Sequence, residues 1–392
     1  MNTFEKDGQY IAHTYARFPL QIVSGKGSLL TDADGKEYID LGTGIAVNTF
    51  GTADGEWIDA VTDQLKKFSH TSNLFYSSPC ADLAEELCRR TGMKKVFFSN
   101  SGAEANECAI KAARGYAAQK WGKDRYTIIT LNNSFHGRTI TTLAATGQEI
   151  FHKDFNPLTP GFISVPANDI EAVKNAVLEH NAIAVMFETV QGEGGVLPLE
   201  ESFVKGLAQL REETGILLIA DEVQTGNGRT GRLYGYMNFG VIPDIVTTAK
   251  GLGGGLPIGA TLLGDAVENV YQPGSHGSTF GGNPVACAGA LNIINRIDDN
   301  LLSDVRKKSQ YIFESLTDAS GVKSVSGLGL MIGIEPVGDV KQILAKCREK
   351  GVIALSAKNK VRLLPPLNIP MNLLEQAVGV LKDVFAECAK GE

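Results

Sequence analysis

Five short apolar runs set the pattern of this chain: KVFFSN from Lys95, YTIITLN from Tyr126, AIAVMFE from Ala182, ILLIADE from Ile216 and PDIVTTAK from Pro243. Runs this short and this continuously apolar read as strands covered on both faces. Helical stretches lie between them, among them EANECAIKAARGYAAQKWG from Glu104 and EESFVKGLAQLREETG from Glu200. Strand alternating with helix predicts an α/β fold, a mostly parallel sheet in a large domain, with ligands taken up at the carboxyl ends of the strands.

The flanks follow another rhythm. LLTDADGKEYIDL, near the amino end, is a turn between two strand-like runs. From Asn292 onward come a long helix, strands around GLGLMIGIEPV, a helix through DVKQILAKCREKG and a last one after PMNLLEQAVG. At 392 residues the chain has room for more than one domain. The expected division is an N-terminal arm over 1–55 that packs with the small domain, a large ligand-binding domain over 56–291, and a small α+β domain over 292–392.

Charge and cysteine usage narrow the partners. A net charge of -7 offers no general cationic face, so nucleic acid is not an expected partner. The six cysteines contain no C-x-x-C pair, which fits a reducing compartment rather than a disulfide framework, and no metal site is expected. No apolar run reaches the roughly eighteen residues of a membrane helix. MNTFEKDGQY lacks the basic-then-apolar order of a signal peptide, so the cytoplasm is the expected location and no membrane is involved.

Several strand ends carry candidate chemistry. In FFSNSGAEANECAI, Ser101, Gly102 and Ala103 join a strand to a helix, where small residues and free amides can hold a phosphate. Ser101 with Glu104 also satisfies an ordinary capping box, which needs no ligand. Asp221 and Glu222 end the apolar ILLIADE run; a carboxylate there wants a cationic or hydrogen-bonding partner such as a protonated ring nitrogen, or else serves as a helix cap or salt bridge. NSFHGRT offers Phe135 to stack on a planar ring and Arg138 to grip a carboxylate, although an arginine taken alone is more often a solvated charge. Lys250 follows PDIVTTA and precedes GLGGG; an amine partly out of water has a lowered pKa and can attack a carbonyl, with the glycines leaving room for a bulky ring. Most lysines sit in water, and the company of Asp221 and Phe135 at corresponding strand ends is what singles this one out. There is no G-x-x-x-x-G-K-[ST], G-x-S-x-G or H-E-x-x-H, and GLGGGLPIG misses the G-x-G-x-x-G spacing.

DEVQTGNGRTGRLYGYMNFGVIPDIVTTAKGLGGGLPIGA resembles the signature of the class III pyridoxal-phosphate aminotransferases. SNSGAEANECAIKAAR, SFHGRT, FETVQGEGG, GSTFGGNP and VRLLPPLNI follow in that family's order, so the likeness spans nearly the whole chain. Within the family it is greatest to the acetylornithine branch. The resemblance implies fold type I, pyridoxal 5′-phosphate as cofactor, and a homodimer with active sites at the subunit interface. It implies N-acetylornithine and 2-oxoglutarate as small-molecule substrates, with transfer of the δ-amino group. Lys250 would bond the cofactor, Asp221 would face its ring nitrogen, and Phe135 would stack on the ring. Gln224, with Val223 beside it, would meet the ring hydroxyl. Ser101, Gly102 and Ala103 would hold the phosphate, completed by Thr279 of the other subunit, with Ser278 near the substrate. Arg138 would take the acetylornithine carboxylate and Arg362 the glutamate α-carboxylate, while Glu193 neutralises Arg362 when the other substrate is bound.

Two departures bear on the substrate. The family places histidines and a proline after AVN, where this chain reads AVNTFGTADGEW, so that loop is expected to differ. Ornithine aminotransferases place a tyrosine where Gly44 stands and a tryptophan where His136 stands, and both differences favour an acylated donor. Succinyldiaminopimelate, succinylornithine and 4-aminobutyrate aminotransferases share the chemistry and remain alternatives. A nicotinamide dehydrogenase would need a glycine fingerprint that is missing. A non-catalytic scaffold has no need of Lys250, Asp221 and Arg138 together.

Overall fold

The computed structural model describes residues 1–390. All five expected strands form, at Lys95–Ser99, Ile128–Leu131, Ala184–Phe187, Leu217–Asp221 and Ile245–Thr248. Two more join them, Phe162–Val165 and Gly259–Leu263. From one edge, the sheet runs Lys95–Ser99, Gly259–Leu263, Ile245–Thr248, Leu217–Asp221, Ala184–Phe187, Ile128–Leu131, Phe162–Val165. Gly259–Leu263 is antiparallel to both neighbours, with Gly259 opposite Ser99 and Ala260 opposite Thr248. The other pairs are parallel. Neither extra strand was among the sequence expectations: FISV opens directly after Pro160 and Gly161, and GATLL follows a glycine-dense stretch whose turn signals mask it.

Six strands therefore point the same way, and their carboxyl ends share one edge. Along each strand, successive side chains enter opposite cores. Val185, Phe187, Leu218 and Ala220 pack with Leu83, Leu207 and Ile293 on one face. Ala184, Met186, Leu217 and Ile219 pack with Ala109, Ala113 and Val267 on the other. The helix on that second face, Gly102–Trp121, buries Ala105, Ala109, Ala112, Ala113 and Ala117. Such small side chains let it lie close enough for Thr261 Oγ1 to donate to the Ala105 carbonyl at 2.8 Å.

A second apolar core gathers the flanks. Val322–Leu328, Met331–Pro336, Lys360–Leu363 and Leu355–Ala357 form an antiparallel sheet, covered by helices Asp299–Leu316, Val340–Glu349 and Met371–Ala389. The N-terminal strands Ile22–Lys26, Leu29–Asp32 and Glu37–Asp40 extend through Val352–Ile353 into a separate sheet, and Ile39 and Leu41 share this core with Val352 and Leu381. Ahead of them, helix Thr3–Tyr10 buries none of its residues. We propose that the arm over 1–55 belongs with the small domain, and that the large domain extends past 291. Helix Pro284–Arg296 is unbroken at Asn292, and its Ile293 and Ile294 pack in the large core.

Gly259, where the antiparallel strand begins, is a tight point between sheet and site. A Cβ there would lie 2.3 Å from the Ser101 carbonyl oxygen and 2.6 Å from Ser99 Oγ. Gly259→Ala is expected to destabilise the cofactor-free protein by about 1–3 kcal/mol, as overpacking does. Chemical unfolding checks this; an unchanged midpoint and slope would mean the Ser101 turn has slack.

Candidate active site

Asp221 ends its strand opposite Thr247, and its carboxylate is buried. Oδ2 accepts from Asn106 Nδ2 at 2.8 Å and pairs with His136 Nδ1 at 2.7 Å, while Oδ1 accepts from the Val223 amide at 3.1 Å. Asn106 is fixed in turn, since its Oδ1 accepts from Thr247 Oγ1 at 2.7 Å and its Nδ2 also donates to the His136 carbonyl at 2.7 Å. His136 Nε2 is buried and has no hydrogen-bond partner. A buried polar atom without a partner is rare enough to mark a place where a ligand or water belongs.

Lys250 follows the neighbouring strand with φ +46°, a left-handed backbone that a side-chain-bearing residue seldom adopts. Such strain is held only where the surroundings over-determine it. The surroundings here are glycines used for turning: a Cβ on Gly253 would lie 2.0 Å from the Leu256 carbonyl oxygen, and Gly254 and Gly255 have φ +60° and +132°. Only Gly255 of these three also faces the cavity, so the glycine cluster shapes the backbone more than it clears space for a ring. Burial pushes the Lys250 ammonium below its usual pKa; Arg362 adds to this, and Glu193, Asp221 and Glu188 oppose it.

At the far wall, Ser101 caps helix Gly102–Trp121, its Oγ accepting from the Glu104 amide at 3.2 Å. Glu104 reaches back to the Asn100 amide at 2.5 Å rather than to the cap residue itself. The capping reading is thus realised, yet it uses only the amides at positions 100 and 104. Those of Gly102 and Ala103, the first of the helix, have no acceptor among the described residues. A Cβ on Gly102 would meet Val223 Cγ1 at 2.6 Å, so only glycine lets Val223 close on this turn.

A cavity of about 400 Å³ joins these groups. Ser101, Gly102, Ala103, Phe135, Arg138, Asp221, Val223, Gln224 and Lys250 all line it. Two expected residues stand just behind. Arg362 Nη1 donates to Glu193 Oε1 at 2.5 Å and to Gln224 Oε1 at 3.1 Å, and its buried Nε is unpaired. Ser278 reaches the wall only through Asn100, whose Nδ2 donates to its Oγ at 3.2 Å. Thr279 is exposed and does not line the cavity of its own chain. Sequence reasoning assigned no role to Glu188 or Asn106, which also line the cavity. Glu188 carries the strand-end signal that exposed Asp221; it is buried, accepts from the Phe135 amide at 2.8 Å, and its carboxyl is pushed well above the usual range by burial and then by the charge of Asp221. Asn106 sits one turn into the helix and has no motif of its own.

A planar, phosphorylated heteroaromatic cofactor fits this donor set. A buried carboxylate suits a ring nitrogen, an aromatic face suits a ring, free helix amides suit a phosphate, and an amine low in pKa suits a carbonyl. Fold and site together define a cofactor-dependent transferase of the α/β type. The family model for class-III aminotransferases matches residues 10–385, and the chain belongs to that family. The acetylornithine aminotransferase of Haemophilus ducreyi is 50% identical over 97% of this chain and 98% of its own length. Among solved structures, the N-acetylornithine aminotransferase of Stenotrophomonas maltophilia is 34% identical, with a TM-score of 0.83 over 96% of this chain and 98% of that one. The ornithine aminotransferase of Toxoplasma gondii is 30% identical, with a TM-score of 0.95 over 99% and 95%.

The Glu193–Arg362 pair has a measurable signature. Burial pushes the Glu193 carboxyl up, but the charge and hydrogen bond of Arg362 outweigh it and hold the group below its ordinary value of 4.5. A depressed folded-state pKa contributes stability above the unfolded value, lost as pH falls through the folded one. Glu193→Gln should cost the cofactor-free protein about 1–3 kcal/mol at pH 7. The gap should narrow below pH 4.5; unfolding midpoints between pH 3 and 7 would refute the pairing if the gap stayed constant.

Proposed function

We propose that this protein is a pyridoxal 5′-phosphate aminotransferase that moves the δ-amino group of N2-acetyl-L-ornithine to 2-oxoglutarate, giving N-acetyl-L-glutamate 5-semialdehyde and L-glutamate in arginine biosynthesis. The observation that carries the reading is one cavity lined by buried Asp221, by Lys250 with its lowered pKa and by the free amides of Gly102 and Ala103. When bound, the cofactor supplies a carbonyl that takes up the amine and a protonated ring that accepts the electrons released at the substrate carbon. Asp221 keeps the ring nitrogen charged, and Asn106 and His136 hold the carboxylate in place. Phe135 would stack on the ring and Gln224, beside Val223, would meet its hydroxyl. Ser101, Gly102 and Ala103 would hold the phosphate. Lys250, desolvated and therefore ready to be a neutral amine, moves the proton at the substrate carbon.

Two substrates must use one pocket in turn. Arg138 takes the carboxylate of the acylated donor, and Arg362 takes the α-carboxylate of 2-oxoglutarate. The contact between Arg362 and Glu193 supports a switch, in which Glu193 neutralises the arginine until the dicarboxylate displaces it. Identity favours the acylated donor, because the 50% relative is named for acetylornithine. Backbone shape does not discriminate: the ornithine enzyme has the higher TM-score and the lower identity.

A homodimer completes the reading. Thr279, exposed in its own chain, then serves the phosphate site of the partner, with Ser278 near the substrate. Leu74, Phe75 and Phe280 are 89%, 70% and 60% exposed, an apolar surface that a second copy would cover. Free cysteines support a cytoplasmic location. Among the described residues, no helix is long and apolar enough to cross a membrane.

A donor panel with 2-oxoglutarate tests the substrate. N-acetylornithine should exceed ornithine, 4-aminobutyrate and succinyldiaminopimelate in kcat/KM, and faster turnover of 4-aminobutyrate would remove the assignment while leaving the family. Lys250→Ala should abolish the visible absorbance of linked cofactor and lower kcat by about 10³-fold or more. Retention of both would exclude Lys250 as the linking residue.

A further inference from the structure

The exposed guanidinium of Arg138 is held by ring faces. Its carbon lies 4.3 Å from the centroid of Phe151 and 5.4 Å from that of Phe135. The two rings meet edge to face, 5.7 Å apart at 76°. The acid on the same turn, Glu149, is directed to His152 at 3.7 Å instead. Arg138 lines the cavity, whereas Phe151 does not.

Phe151 is placed by a short helical turn, Glu149–Phe151, that is fastened to the loop carrying Phe135 and Arg138. Gln148 Nε2 donates to the carbonyls of Ser134 at 3.0 Å and Asn133 at 3.3 Å. The Gly147 amide donates to Ser134 Oγ at 3.0 Å, and the Asn133 amide to the Gly147 carbonyl at 2.8 Å. His152 Nε2 is bonded to the Leu143 carbonyl at 2.9 Å on the following side. Ring and guanidinium thus belong to one fastened unit.

Resting on the assignment of Arg138 to the donor carboxylate, we propose that Phe151 is a positioning residue that fixes the plane of the Arg138 guanidinium, and so sets the preference of this site for donors carrying a carboxylate remote from the reacting amine. A guanidinium whose carbon sits over a ring face is restrained there while N–H donors remain free for a carboxylate. A free arginine loses rotamer freedom when it grips a carboxylate; one already held against a ring has lost it beforehand. The cation over the ring is also an attraction that an aliphatic side chain of similar volume does not supply.

The test compares holoenzyme variants on two donors, N-acetylornithine and N-acetylputrescine, which lacks only the carboxylate. Phe151→Leu keeps apolar volume without a π face, Phe151→Ala removes both, and Phe151→Tyr keeps the ring. For Leu and Ala, KM for N-acetylornithine should rise about 3- to 30-fold with kcat within twofold, in line with the loss of a cation–ring contact. Constants for N-acetylputrescine should not move, and the tyrosine variant should resemble wild type. A leucine variant equal to wild type, or equal losses on both donors, would overturn the proposal. Failure of wild type to use N-acetylornithine would instead remove the substrate assignment. The pair 5-aminopentanoate and butylamine, again differing only in the carboxylate, then decides the role of Phe151 on the same criteria.

Discussion

Everything at this site depends on keeping one amine out of water without letting it collapse onto a carboxylate. Lys250 is surrounded by Asp221, Glu188 and Glu193, any of which could neutralise it in a permanent ion pair. Each is already engaged. Asp221 is bonded to Asn106, His136 and the Val223 amide, Glu188 to the Phe135 amide, and Glu193 to Arg362. Burial therefore dominates at Lys250, and its pKa falls. An amine in that state is a nucleophile and a base; the same amine paired with a free carboxylate would be neither.

The fold supplies this environment through sheet topology more than through any single contact. Parallel strands deliver Asp221, Glu188, Lys250 and the turns at Ser101 and Phe135 to one edge, within reach of each other. The antiparallel strand Gly259–Leu263 returns the chain from the Lys250 turn to the strand that precedes Ser101. That return is tight enough to demand glycine where it passes the Ser101 carbonyl, and it ties the amine turn to the phosphate-sized turn by backbone alone. Position of the reactive groups is thus tied to a main-chain ladder.

The sequence made much of this legible, for reasons that differ by residue. Buried strands show because both faces are apolar, so five of the runs stood out, while FISV and GATLL hid behind Pro and Gly punctuation. Asp221 and Lys250 showed because charged residues at the end of such runs need an explanation. The two readings of Ser101, cap or anion site, proved compatible, since the cap leaves the amides of Gly102 and Ala103 free. The contact of Glu193 with Arg362 joins residues 169 positions apart and was accessible only through family resemblance. Phe151 left no trace at all, because its place over Arg138 follows from the fastening of a turn rather than from a residue pattern.

Selection between donors falls to side chains the fold does not dictate. Near-identical backbone shape with an ornithine aminotransferase coexists here with greater identity to acetylornithine enzymes. A free ornithine presents a charged amine beside its carboxylate, whereas the acylated donor presents an amide there. Under the role proposed for Arg138, a fixed cation would reward the carboxylate in both but repel the extra ammonium of the first, and Glu149, on the Phe151 turn, is directed to His152 rather than to the arginine. Holding the arginine by aromatic faces rather than by an acid would then do two things at once. It would orient the fork and leave the cation uncompensated by an acid, so an arrangement suited to the carboxylate would also disfavour an unmasked amine.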